Sequence, residues 1–228
     1  MKISIFAATE LELAPLQKQE NEALFSRTGH QVQYCTTGVG MLQSSFHIHR
    51  HLYNYQPDFL LQIGIAGCFD SKLALGTVVA VQREYLGSLG VNEGHWRDIF
   101  DLGLQGGSDA PFNQKALINS HIKEWGWLQK AGIITGGSIT VDEITTDLAR
   151  IEDLKQAYAA PAGVQSVPML ESMEGASLHY IGLQYHLPFL QLRGVSNYIG
   201  QRDKSKWQIG PALNAVTAAA LKVIGQIK

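Results

Sequence analysis

Glu171-Ser172-Met173-Glu174-Gly175-Ala176 runs into a stretch that reads as a helix, and the chain returns through Pro188-Phe189-Leu190-Gln191-Leu192 to Arg193-Gly194-Val195-Ser196-Asn197. The second segment is an apolar run that closes in glycine, serine and asparagine, the form of a buried strand that delivers polar side chains at its end. The same alternation of strand and helix recurs outward. Residues 2–8, 31–37, 58–63 and 76–82 read as strands, and 133–135 begins another. Helices are expected over 10–18, 41–53, 147–158, 174–186 and 211–227. Apolar strands interleaved with helices predict an α/β domain, a three-layer α/β/α sandwich around a central mixed β-sheet. No repeat, low-complexity block or linker divides the sequence, so residues 1–228 are expected to form a single domain.

The composition narrows the function classes. Of 228 residues, 45% are hydrophobic and 17% charged, which favours an ordered globular chain over a disordered one. The net charge of −2 leaves no electrostatic footprint for nucleic acid or an anionic membrane surface. The longest apolar runs, such as 59–66, are too short to span a bilayer. The apolar stretch within residues 1–7 is short, and Glu10 and Glu12 follow at once, so a first strand is expected there rather than a signal peptide. Cys35 and Cys68 make no disulfide framework and are expected as reduced, buried thiols of a cytoplasmic protein.

Four features qualify as chemistry. Thr37-Gly38-Val39-Gly40 before a helix could cradle an anion with free amides, yet it lacks the spacing of a dinucleotide fingerprint and the lysine of a P-loop. Gly64-Ile65-Ala66-Gly67 is expected as a turn at the carboxyl end of a central strand, where α/β proteins form ligand crevices. His47 and His51 share a helix face, but no nearby ligand completes a metal site, so a solvated face is expected. The glycine-rich segment 87–113 is expected as an irregular, functional loop.

Taken together, Ala8-Thr9-Glu10-Leu11-Glu12, the glycine turn from Gly64, Met173-Glu174 and Ser196-Asn197 occur in the order and at spacings that resemble the nucleoside phosphorylase and nucleosidase superfamily. The resemblance covers essentially the whole chain. It implies a nucleoside phosphorylase-like fold, a small-molecule nucleoside substrate, no metal or organic cofactor, no nucleic-acid or membrane partner, and a homo-oligomer. It also implies roles. Glu12 would activate a water, Glu174 would hold the ribose hydroxyls with Met173 packed on the sugar, and Asn197, oriented by Ser196, would face the base. Gly64 would belong to the substrate site, and Thr140 and Val141 would line the base through their backbone.

The details point to one branch. Phosphorylases of the superfamily commonly carry an arginine before the central glycine turn, where this chain has Gln62-Ile63-Gly64, and no early Gly-Asp-Pro-x-Arg segment is present. Without guanidinium groups a phosphate dianion would be poorly held, so hydrolysis is expected. Adenine-releasing members place an aspartic acid where Asn197 stands, and an amide donates a hydrogen bond but transfers no proton. That suits a 6-oxopurine. Ser196 to Asp203, Met173 to Ala176 and Gly90-Val91-Asn92-Glu93-Gly94-His95-Trp96 resemble the futalosine hydrolases of the alternative menaquinone pathway, which release hypoxanthine. Arg202, with Lys204 and Lys206, is either a solvated loop cation or a contact for the substrate's carboxylate.

Overall fold

The first strand alternates its side chains between two cores. Ile3, Ile5 and Ala7 belong to one buried cluster while Phe6 belongs to another, so both faces of the sheet are covered. The computed structural model describes residues 1–158 and 167–227. In chain order the elements are β1 (Lys2–Ala7), α1 (Glu10–Leu13), α2 (Gln19–Thr28), β2 (Gln31–Thr36), α3 (Met41–Tyr55), β3 (Phe59–Cys68) and β4 (Val78–Leu86). They continue with β5 (Gly90–Asn92), β6 (Trp96–Asp98), β7 (Phe112–Asn113), β8 (Ala116–Ile118), a 3-10 turn Ser120–Glu124, α4 (Trp127–Lys130) and β9 (Ile134–Thr140). The last group is α5 (Leu148–Ala157), β10 (Met169–Ser172), α6 (Gly175–Gln184), β11 (Phe189–Tyr198), a 3-10 turn Lys204–Lys206 and α7 (Ile209–Ile224).

The strands form a nine-stranded mixed sheet in which β11 lies parallel to β3 and antiparallel to β4. At their far ends β3 pairs with β10, β10 with β9, and β9 with β4. These pairings close a circuit of five strands, so the centre of the sheet curls rather than lying flat. Helices α2 and α7 cover the face carrying Ile3, Leu61, Leu190 and Leu192. Helices α3 and α6 cover the face carrying Phe6, Leu60 and Phe189. The α/β/α layering and mixed sheet are as the sequence predicts.

Several local expectations fail for identifiable reasons. The first helix stops at Leu13 instead of running to residue 18, because Pro15 follows and its ring cannot continue a helix; the separate helix α2 then begins at Gln19. The stretch from Gly64 to Gly67 is not a turn. It continues β3 in register with β11, and its glycines admit close neighbours rather than reverse the chain. Segment 87–113 contains the small ribbon β5–β6, and Asp98 within it is buried and ion-paired to Lys115 at 3.3 Å. His51 is not solvated: it is buried, lies 2.7 Å from Ser4 Oγ through Nε2, and is tilted against Tyr55. Burial also lowers its pKa. Cys35 is half-buried and Cys68 buried, both free, and burial pushes the Cys68 thiol up to about 11.

Candidate active site

At the carboxyl end of β3, a cavity of about 320 Å³ gathers Glu12, Val39, Gly67, Glu171, Met173, Glu174, Ser196 and Asn197 from separate elements. Glu12 arrives first, on the one-turn helix α1 after β1. Its Oε2 accepts hydrogen bonds from the backbone N–H and the hydroxyl of Thr9, both at 3.0 Å, and its Oε1 lies 3.3 Å from the amide of Ile65. The carboxylate reaches back to the residue before its own helix, which fixes its direction. It is only 7% exposed, so it sits in a largely dry setting.

Glu174 caps α6 and is also buried. Its Oε1 accepts the amide of Gly40 at 3.1 Å, so the Thr37–Gly40 turn does cradle an anion, and that anion is the protein's own carboxylate. Its Oε2 lies 3.7 Å from Arg193 Nη2, and its carbonyl accepts Gln62 Nε2 at 3.4 Å.

Arg193 is the residue the sequence reading missed. It is the largest fully buried side chain, and Nη2 donates to Gln62 Oε1 at 3.3 Å. Strand pairing sets Arg193 beside Gly64. A methyl group on Gly64 would collide with Arg193 Nη1 and lie 3.0 Å from Glu12 Oε1. Thus Gly64 is the clearing in which the guanidinium and the Glu12 carboxylate approach one another. The expectation that no guanidinium stands at the site is therefore corrected. The arginine enters from β11, alongside the position before the glycine of β3 where the sequence places Gln62. Only the register of two distant strands reveals it.

Asn197 follows a β-bulge between Val195 and Asn197, which turns Ser196 out of the ladder and re-aims its neighbour. Ser196 Oγ donates to Asn197 Oδ1 at 2.8 Å, and Asn197 Nδ2 lies 3.2 Å from the carbonyl of Tyr198. With its oxygen held by the serine, the amide retains an N–H for the cavity. Val141 and Met173 line the same space. Thr140 does not: it is buried behind the cavity, donating to Glu84 Oε1 at 2.9 Å and accepting the amide of Ala176 at 2.8 Å. Arg202 is exposed at the rim, with its guanidinium carbon 5.7 Å from the ring centre of Trp207, and both residues line the opening. Lys204 and Lys206 do not line it.

Behind the wall lies a second polar layer. Glu84 is fully buried, and burial raises its pKa to about 7 against the pull of Thr140, Arg193 and Gln191. His179 is fully buried too; burial lowers its pKa to about 3, and its Nδ1 lies 3.1 Å from the Leu117 carbonyl. Among the described residues no group of three or more His, Cys, Asp or Glu is placed to hold a metal ion, and no helix is long and apolar enough to cross a membrane.

The chain is similar to named proteins of two activities. It is 26% identical over 167 residues to a futalosine hydrolase of Streptomyces coelicolor, a match covering 73% of this chain and 65% of that protein. It is 27% identical over 224 residues to a 5'-methylthioadenosine/S-adenosylhomocysteine nucleosidase of Tolumonas auensis, covering 91% of each. The solved 5'-methylthioadenosine/S-adenosylhomocysteine nucleosidase of Neisseria meningitidis, in complex with methylthio-immucillin-A, has the same fold. It gives a TM-score of 0.78 over 99% of each chain at 14% identity. A family model described as the phosphorylase superfamily matches residues 2–227, and this chain belongs to that superfamily.

Proposed function

We propose that this protein hydrolyses the N-glycosidic bond of futalosine, releasing hypoxanthine, as a step of menaquinone biosynthesis in the cytoplasm. The observation on which the choice of base rests is Asn197, which lines the cavity with its oxygen accepting from Ser196 Oγ, so that its amide has an N–H to offer a ligand beyond the one given to the Tyr198 carbonyl. An N–H donor suits O6 or N7 of a 6-oxopurine and cannot deliver a proton to adenine. The nucleosidase relatives keep an adenine-releasing reading alive, and the identity of residue 197 is what disfavours it.

The proposed mechanism draws on this geometry. Glu174 accepts hydrogen bonds from the ribose 2′ and 3′ hydroxyls and, with Met173 against the sugar, holds the anomeric carbon in place. Glu12, on the side of Gly64, takes a proton from water as the water oxygen bonds to that carbon. The glycosidic electron pair leaves with the base, its charge spread by the Asn197 hydrogen bond, and solvent returns a proton to the freed purine. Val141 lines the base, and Arg202 at the rim meets the carboxylate of the substrate's 5′ chain. No cofactor is required by these steps.

Water rather than phosphate is the nucleophile on electrostatic grounds. The single guanidinium of Arg193 stands among two carboxylates, Glu12 and Glu174, and Gln62 takes up one of its donors. The local charge is net negative, which repels a dianion and tolerates a neutral water. Incubation with futalosine, inosine and methylthioadenosine, with and without phosphate, tests the whole reading. Hypoxanthine and a free reducing sugar should appear from futalosine in phosphate-free buffer. Strict dependence on phosphate, or faster release of adenine than of hypoxanthine, would overturn it.

A further inference from the structure

Helix α6 starts on a polar patch of the sheet. It packs against β4, β9 and β11, and its residues from Gly175 to His179 are all buried. Beneath them lie Glu84 of β4, paired in register with Ser138 of β9, and Gln191 and Arg193 of β11, none more than 1% exposed. The helix comes this close because it opens with Gly175: a methyl group there would collide with Glu84 Oε2 and lie 2.5 Å from Gln191 Nε2. The patch is short of partners. Glu84 Oε2, Ser138 Oγ, Arg193 Nε and both polar atoms of Gln191 are buried without a well-formed hydrogen bond.

One chain of hydrogen bonds crosses this patch. Glu174 is the N-cap of α6, yet its side chain caps none of the helix amides. Thr140 supplies the cap instead: its hydroxyl oxygen accepts the amide of Ala176 at 2.8 Å, one of the donors that a helix start leaves free. The same hydroxyl donates to Glu84 Oε1 at 2.9 Å, so Glu84 sets the direction in which Thr140 offers its lone pair. With the cap supplied from β9, the Glu174 carboxylate is left for the cavity. Its Oε2 lies 3.7 Å from Arg193 Nη2. Among the described residues, the other groups around Glu84 bring no charge. Leu117 is its partner on β8, Ser138 and Thr140 come from β9, and His179 of α6, against the Leu117 carbonyl, is kept neutral by burial. An ionised Glu84 would therefore have only Arg193 to turn to, in competition with Glu174. Burial raises the Glu84 pKa to about 7, against Thr140, Arg193 and Gln191, so both of its protonation states fall in an accessible pH range.

We propose that neutral Glu84 is a positioning residue, which holds the start of α6 through the Thr140 hydroxyl and leaves Arg193 to Glu174, so that the Glu174 carboxylate stays aimed at the ribose. This rests on the ribose-holding role given to Glu174 above and is independent of which base is released. Ionisation of Glu84 puts a second carboxylate behind Arg193 and draws the guanidinium away from Glu174. The competent form is the protonated one, so activity is present below the Glu84 pKa and lost above it. Glu84→Gln copies the neutral acid: its amide keeps an oxygen for Thr140 and cannot ionise. Thr140→Val removes the link itself without adding a charge.

The test is the pH profile of kcat/KM for futalosine in wild type and Glu84→Gln. Wild-type kcat/KM should fall as pH rises through about 7. In Glu84→Gln that fall should vanish, leaving the variant within about threefold of wild type near pH 6 and roughly tenfold above it near pH 8.5. Thr140→Val should raise the futalosine KM by roughly fivefold or more, the scale of a lost helix cap. Its affinity for free hypoxanthine, which carries no ribose, should stay within about threefold of wild type in calorimetry. Glu84→Gln changes no shape, so the pH comparison decides even if Thr140→Val folds poorly. A basic decline that persists in Glu84→Gln, or a wild type without one, overturns the role of Glu84 and leaves the proposed function standing. Equal loss of futalosine and hypoxanthine binding in folded Thr140→Val overturns the link to Glu174. A wild type that releases no hypoxanthine from futalosine overturns the proposed function instead. The profiles then move to methylthioadenosine, where a decline shared by Glu84→Gln overturns the role of Glu84 as well.

Discussion

Glu84 and His179 are fully buried ionisable groups that titrate in opposite senses. For Glu84 the folded pKa of about 7 exceeds the ordinary 4.5, so the folded state holds its proton longer. Stability from this group is undiminished below the unfolded value and declines as pH rises from about 4.5 to about 7. For His179 the folded pKa of about 3 lies below the ordinary 6.5, so its contribution rises with pH between about 3 and 6.5. The two slopes offset one another over the range they share. Glu84→Gln mimics the protonated acid and removes one slope. Its stability relative to wild type should therefore climb between about pH 4.5 and 7 in urea unfolding, and be flat above; a flat difference throughout would show that folding does not raise the Glu84 pKa. Glu12 gives a kinetic prediction at the same scale. Glu12→Gln keeps the contact to Thr9 in shape but removes the proposed base, so kcat should fall by roughly a hundredfold or more while a substrate analogue still binds. Near-native turnover in single-turnover assays would reassign water activation.

Strands decide which of these residues meet. Met173-Glu174 and Ser196-Asn197 are legible in the sequence because each motif sits at an element's end, where a helix opens or a strand closes. Glu12 is legible only through the family resemblance, because acids directly after a first strand read by themselves as ordinary helix-start residues. Arg193 is not, although it lies inside the stretches that decide the fold. Its place depends on which residue of β3 it pairs with, and pairing register is a property of the closed strand circuit rather than of any segment. Glu84 is hidden for the same reason: its partner Thr140 is 56 residues away. The continuation of β3 through its glycines was likewise unreadable, since glycine signals a turn unless a neighbour's bulk requires its smallness. That requirement gives an element-scale prediction. Gly64→Ala forces a methyl into Arg193 and against Glu12, and should lower stability by about 1–3 kcal/mol and abolish most activity. Gly210→Ala, in the first turn of α7 with open space around it, should leave activity unchanged and stability unchanged or raised by about 0.5 kcal/mol. Equal losses in thermal melts of the two variants would mean that the crowding at Gly64 is relieved without cost.

At the scale of the whole molecule, one face lacks a cover. Along α3, Leu42 is 85% exposed, Phe46 59% and Tyr53 82%. Positions 42, 46 and 53 fall on one side of the helix, opposite buried Ile48 and Leu52, so α3 is apolar on two faces and only one is packed. Exposed apolar side chains of this kind, here with exposed His49 between Phe46 and Tyr53, suit an association surface, which supports the homo-oligomer expected for this chain. The position of the stripe ties assembly to chemistry. Helix α3 starts at the turn whose Gly40 amide holds Glu174, and Val39 of that turn lines the cavity, so a second copy docked along α3 would lie beside the mouth of the site. Phe46→Glu places a charge in the middle of the stripe without touching the cavity lining. Light scattering should show the wild type as a dimer or larger and the variant shifted toward monomer. If the neighbour also closes the 5′ end, the variant's KM should rise more for futalosine, with its long 5′ chain, than for inosine, which has none. A wild-type protein that is monomeric at micromolar concentration would remove the stripe from the argument. A variant that dissociates yet keeps the same futalosine-to-inosine ratio would separate assembly from catalysis, leaving the cavity of one chain sufficient for the reaction.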